Sequence, residues 1–155
     1  MQEVTPSNSS TERSTWMGVL SRSDRDHLTS LVKDVTNVPF VWLRKPQVGL
    51  VMVRGRAGGT GAAFNLGEMT VTRCALQLED GTVGQGYVQG RDKRHAKCAA
   101  LVDALLQQES EYKRLLASVI EPLKERQAER KLEQSRKAAA TKVDFFTMVR
   151  GGDPE

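Results

Sequence analysis

The chain has 155 residues, of which 39% are hydrophobic, 5% aromatic and 27% charged. That length suits one domain, and the composition suits a small core of Leu, Val and Ala rather than one built on rings. The formal charge of +4 is spread thinly, with nine Lys/Arg against eight Asp/Glu in residues 1–90 and fourteen against eleven in 91–155, which argues against the one-sided basic face of a nucleic-acid binder.

Residues 1–10 read as a disordered tail, and 11–150 as a single domain. Ser9-Ser10-Thr11-Glu12 and Ser23-Asp24-Arg25-Asp26 both fit the capping box, in which a hydroxyl and a carboxylate satisfy the free amides of a helix start. Trp16, Val19 and Leu20 follow the first; Leu28, Leu31, Val32 and Val35 follow the second at helical spacing. Two short N-terminal helices are expected, ending before Pro39. The period then changes. Phe40–Arg44 and Leu50–Arg56 are β-rich runs separated by Lys45–Gly49, which reads as a hairpin-like connection. Glu68–Leu78 and Thr82–Gln89 are two more, joined at Asp80-Gly81, a strong hairpin signal. The expected sheet is four-stranded and mostly antiparallel, in an α+β fold. On its last strand Gly84, Gly86 and Gly90 share a face with Val88, which lets a helix or another backbone approach closely.

Asp92 can cap a third helix with the stripe Cys98, Leu101, Val102 and Leu105. A fourth starts near Glu109 and carries Tyr112, Leu115, Leu116, Val119 and Leu123, with Pro122 as a kink or restart. Beyond Leu123 the apolar face fades to Ala128 and Leu132, while Glu121, Glu125, Glu129 and Glu133 recur every four residues. This long polar stretch is either a solvated helix held by charge pairs or an arm along another subunit. Val143–Val149 reads as a C-terminal strand holding Phe145 and Phe146, which pack on the chain's own sheet or on a partner. Residues 124–150 are thus a candidate partner-binding arm, with 151–155 a disordered tail.

Arg54 to Glu68 is the most unusual segment. Gly58, Gly59 and Gly61 around Thr60 permit positive φ and inward-pointing amides, which suit an oxyanion. Alternation puts Arg54 and Arg56 on one face, and an antiparallel return lets Arg73 join them, with Asn65 at a turn; such guanidinium groups fit a phosphate or phosphonate. The competing reading is a tight structural connector, since neither a P-loop nor a complete dinucleotide fingerprint is present. Arg91-Asp92-Lys93-Arg94-His95 is the second candidate, because cations at a helix start oppose the helix dipole unless an anion sits there. His95 lines up with Cys98, Ala99 and Val102, so it also reads as a histidine at the core rim. Cys74 and Cys98 stand far apart and make neither a disulfide scaffold nor a metal site. Met1–Arg13 shows no basic segment leading into an apolar run, and no apolar run is long enough to span a bilayer; a cytoplasmic protein is expected.

The wording of the chain carries more. Trp16–Leu20, Gly49–Arg56, Gly58–Gly61 running into Phe64–Cys74, and Gly90–Ala96 together resemble the PhnG family, a subunit of the bacterial carbon–phosphorus lyase system. The resemblance spans residues 14–150 in order and spacing, with Lys97 standing where an acidic residue is expected. It implies a core complex with PhnI, PhnH and PhnJ that displaces adenine from MgATP by an alkylphosphonate, giving α-D-ribose 1-alkylphosphonate 5-triphosphate. After pyrophosphate removal, a radical S-adenosylmethionine iron–sulfur subunit cleaves the C–P bond. It brings no catalytic residue to this chain and implies no cofactor bound by it. The expected role is a companion of PhnI in the synthase step, with Arg54, Arg56, Gly58, Gly59, Thr60, Gly61, Asn65, Arg73, Arg91 and Arg94 as candidate phosphate contacts. Gly84, Gly86, Leu132, Phe145 and Phe146 are the candidate interface. The alternatives are an assembly subunit without substrate contact and a self-sufficient nucleotide-binding domain.

Overall fold

Three strands pair antiparallel in the order β1-β2-β3, with β1 at Phe40–Arg56, β2 at Ala63–Leu78 and β3 at Val83–Gln89. The computed structural model describes residues 6–141. The expected four-stranded sheet is corrected here to three strands, because the two runs at Phe40–Arg44 and Leu50–Arg56 are one strand. Lys45–Gly49 does not turn: register shifts between Trp42 and Arg44 and between Arg44 and Gln47 absorb the extra residues, and Gly49 lies opposite Val71. Pro46 is tolerated because β1 is an edge strand, where a missing N–H breaks no ladder bond. The expected strand at Val143–Val149 lies outside the described residues.

The Asp80-Gly81 turn forms as read. Gly81 has φ +88°, a left-handed conformation that favours glycine, and the Asp80 carboxylate accepts from the Thr82 amide at 2.9 Å. Helix α1 (Pro6–Ser21) starts ahead of the expected Ser9 box and so takes in residues 6–10, and α2 (Arg25–Leu31) is capped by Asp24, whose side chain accepts from the Asp26 and His27 amides. Helix α3 (Lys93–Leu106) is capped by Asp92, as its sequence suggests. Helix α4 (Glu109–Leu115) runs through one wide π turn, Leu116–Ile120, into α5 (Glu121–Ala140). The wide turn stands just before Pro122, which has no N–H for the regular ladder, so the helix restarts rather than breaks. No helix among the described residues is long and apolar enough to cross a membrane.

One buried cluster joins all layers: Trp16, Val19 and Leu20 of α1, Leu28 of α2, Leu76 and Leu78 of β2, Val88 of β3, and Leu115, Val119, Ile120 and Leu123 of the long helix. Helix α3 runs through its middle, buried from His95 to Leu106 apart from Lys97. A helix apolar on nearly all sides belongs inside. Its fit to the sheet depends on two glycines. A Cβ on Gly84 would lie 2.0 Å from the Ala100 carbonyl oxygen, and one on Gly86 2.1 Å from that of Ala96. Gly84 and Gly86 are therefore corrected from candidate partner interface to internal contact, since the backbone that uses their bareness is the chain's own α3.

Ahead of Val71 on β2 the sheet narrows. β3 pairs only with Val71–Gln77 of β2, so Leu50–Arg56 and Ala63–Thr70 continue as a two-stranded ribbon, roughly 20 Å long. Cross-strand pairing with Thr72, Thr70 and Glu68 places Val48, Leu50 and Met52 on the face that continues the core side of the sheet. All three are exposed, Leu50 by 61%.

Candidate functional site

The Gly-rich segment forms the tip of the ribbon. Arg54 pairs across it with Asn65 and Arg56 with Ala63, so Arg54, Arg56 and Asn65 come together with the turn Ala57–Gly61. Gly58 and Gly59 have φ of +60° and +82°, the left-handed values for which glycine is suited. The amides of Thr60 and Gly61 both donate to the Ala57 carbonyl. The Arg56 guanidinium donates to the Gly61 carbonyl at 3.2 Å. The tip is thus a closed turn with two of its amides engaged internally, and an incoming anion would meet the exposed Arg54 and Arg56 side chains first.

Arg73 does not join them. It pairs with Gln47, seven positions along β1 from Arg54 and so roughly 23 Å away. There it lines a shallow depression with Arg44, Ala75, Gln85 and Tyr87 on the sheet face opposite α3. Arg91 and Arg94 are also elsewhere, flanking the start of α3. The charge conflict there is resolved within the chain. Asp92 accepts from the amides of Arg94 and His95 at 2.8 and 3.0 Å, and its other oxygen takes Arg25 at 3.0 Å. A carboxylate of the protein occupies the position an external anion would take. Asp24 repeats the device on α2 and holds Arg130 of α5 at 3.0 Å, which ties the two helix starts to the long helix.

His95 lies beneath this charged cluster and is buried. Its Nε2 sits 2.9 Å from Ser23 Oγ and 3.2 Å from the Leu20 carbonyl. Burial holds the imidazole below its ordinary value of 6.5. The unfolded chain then binds a proton that the folded chain resists, so this stability is complete above the ordinary imidazole pKa and is lost as the pH falls towards the folded one. The urea midpoint is expected to drop between about pH 7 and pH 5.5, and to drop less in His95→Gln. A loss of equal size in the variant would remove His95 from that role.

Cys74 and Cys98 are buried free thiols. Burial pushes Cys74 up to about 11 and also raises Cys98, which makes them poor nucleophiles. One important residue escaped the sequence reading. Asp103 is fully buried in the last turn of α3 and accepts from Arg13, from Trp16 Nε1 at 2.9 Å and from the Gln85 amide at 2.8 Å. Its signal was there: a lone carboxylate in the apolar run Ala99–Leu106.

The family model described as "Phosphonate metabolism protein PhnG" matches residues 11–151. The chain belongs to the PhnG family. A relative from Rhizobium meliloti (strain 1021), the "Alpha-D-ribose 1-methylphosphonate 5-triphosphate synthase subunit PhnG", is 44% identical over 147 residues, covering 92% of this chain and 91% of its own. The family match takes in both the ribbon tip and the charged cluster at the start of α3, so these surfaces are parts of a PhnG domain rather than additions to it.

Proposed function

We propose that this chain is a subunit of α-D-ribose 1-methylphosphonate 5-triphosphate synthase, required with its partners to displace adenine from MgATP by an alkylphosphonate. The observation that carries this is the near full-length match, at 44% identity, to a relative named as that subunit. Activity belongs to the complex, in the cytoplasm; the isolated chain is inactive. PhnI is the direct partner, and PhnH and PhnJ complete the core. Radical S-adenosylmethionine chemistry falls to another subunit, because this chain has two cysteines in all, both buried, against the set of thiolates an iron–sulfur cluster takes.

In this reading Arg54 and Arg56 place positive charge at the end of the ribbon, where phosphate groups bound in a partner's pocket would lie. Arg54→Ala/Arg56→Ala is expected to assemble normally and to slow adenine release by about tenfold or more, the worth of one or two charge-assisted contacts. A second reading, assembly without substrate contact, is favoured by the amides of Thr60 and Gly61 being engaged by Ala57 and by Asp92 filling the α3 start. If the double variant keeps both assembly and full adenine release, that second reading replaces the first.

A further inference from the structure

The two edges of the sheet are treated differently. On β3, the Val83 carbonyl accepts from Arg13 and from Gln107, and the Gln85 amide donates to Asp103. These side chains block the edge against another strand. Along β1, no side chain among the described residues hydrogen-bonds to the outer backbone edge. This edge runs 17 residues, and its distal half belongs to a two-stranded ribbon, a form that is marginal alone in water. The edge and its ribbon also carry exposed apolar side chains: Val48, Leu50 and Met52 on one face of β1, and Phe64 and Leu66 near the ribbon tip, between 44% and 66% exposed. An open, long, apolar edge is a template for strand addition.

The charges on β1 select the occupant. Arg44 and Lys45 lie on one side of the apolar stretch Val48–Val53 and Arg54 and Arg56 on the other, with no Asp or Glu anywhere from Phe40 to Arg56. A second copy pairing antiparallel about Leu50 would set Arg44 opposite Arg56, and directly opposed like charges destabilise a strand pair. A strand that is apolar in its centre and acidic at both ends meets the same edge with complementary charge.

We propose that β1 is a strand-addition site for such an acidic-ended, apolar-centred strand of a different subunit. This rests on the synthase-subunit reading, with PhnI as the probe. The test uses the full chain, wild type or carrying Leu50→Asp, or Arg44→Glu/Lys45→Glu, residues outside the tip. Amide exchange in the peptide spanning 47–54 is expected to slow by about tenfold or more when PhnI binds. Each variant is expected to weaken PhnI binding by about tenfold or more while the free chain melts like wild type. Unchanged exchange, or variants that bind within about twofold of wild type, would overturn the edge proposal and leave the subunit reading intact. A wild-type chain that does not bind PhnI at all would overturn both. Sedimentation of the free chain as a dimer that Leu50→Asp dissociates would assign the edge to a second copy and overturn the proposal.

Discussion

Replacing Asp103 with alanine is expected to remove about 3–5 kcal/mol of unfolding free energy, enough to leave a domain of ordinary stability barely folded. The carboxylate is fully buried and joins three elements. Arg13 and Trp16 reach it from α1, the Gln85 amide reaches it from β3, and it stands on α3 itself. Deleting it strands the buried Trp16 indole N–H, removes the acceptor of the Gln85 amide and leaves Arg13 without its counter-charge. Asp103→Asn keeps one carbonyl oxygen as acceptor, so its loss should be smaller. Urea unfolding followed by circular dichroism measures both. An alanine variant within about 1 kcal/mol of wild type would mean that water replaces the carboxylate without loss.

The second large effect is at Gly84. A methyl there would meet the Ala100 carbonyl oxygen at 2.0 Å and the Ala104 Cβ at 2.8 Å. Neither neighbour is the movable end of a long side chain, so α3 as a whole must withdraw from the sheet. Overpacking of this kind costs about 3 kcal/mol, a fall of about 6–12 °C in melting temperature for a chain of this size. Gly86→Ala should behave similarly, with the Ala96 carbonyl and Cys74 Sγ in the way. Gly67→Ala is the control. It has open space around its Cβ position and no positive φ, so its melting temperature should stay close to that of wild type.

These glycines also show how far the sequence could be read. Alternating Gly84 and Gly86 indicated a close approach, but composition does not say which backbone approaches. The answer depends on the Ala96–Ala100–Ala104 spacing of α3, small residues one helical turn apart that meet bare positions two apart on β3. The caps at Asp92 and the turn at Asp80-Gly81 were legible because their chemistry is local. The length of β1 was not. Pro46 and Gly49 are ordinary turn signals, and only β2, a continuous partner of 16 residues, holds them extended. Pairing is a long-range property, and it also decided the candidate site. Arg54 and Arg56 stayed together because they share one strand, whereas Arg73 was carried away by the length of the ribbon and Arg91 and Arg94 by the path of β3. The cations at the start of α3 have a counter-charge within the chain, because Asp92 of the same pentapeptide caps the helix and takes Arg25.

A small core can be stable with surface to spare for partners, and this chain divides that way. Its buried cluster gathers around α3, while the ribbon and the exposed end of α5, including Leu132 at 53% exposure, extend beyond it. The direct test of that division is reconstitution of adenine release from MgATP and methylphosphonate by the partner subunits with and without this chain. Release that depends on adding the folded chain, and that Leu50→Asp fails to restore, is the result expected of a subunit that works through its ribbon. Full release by the partners alone would contradict it.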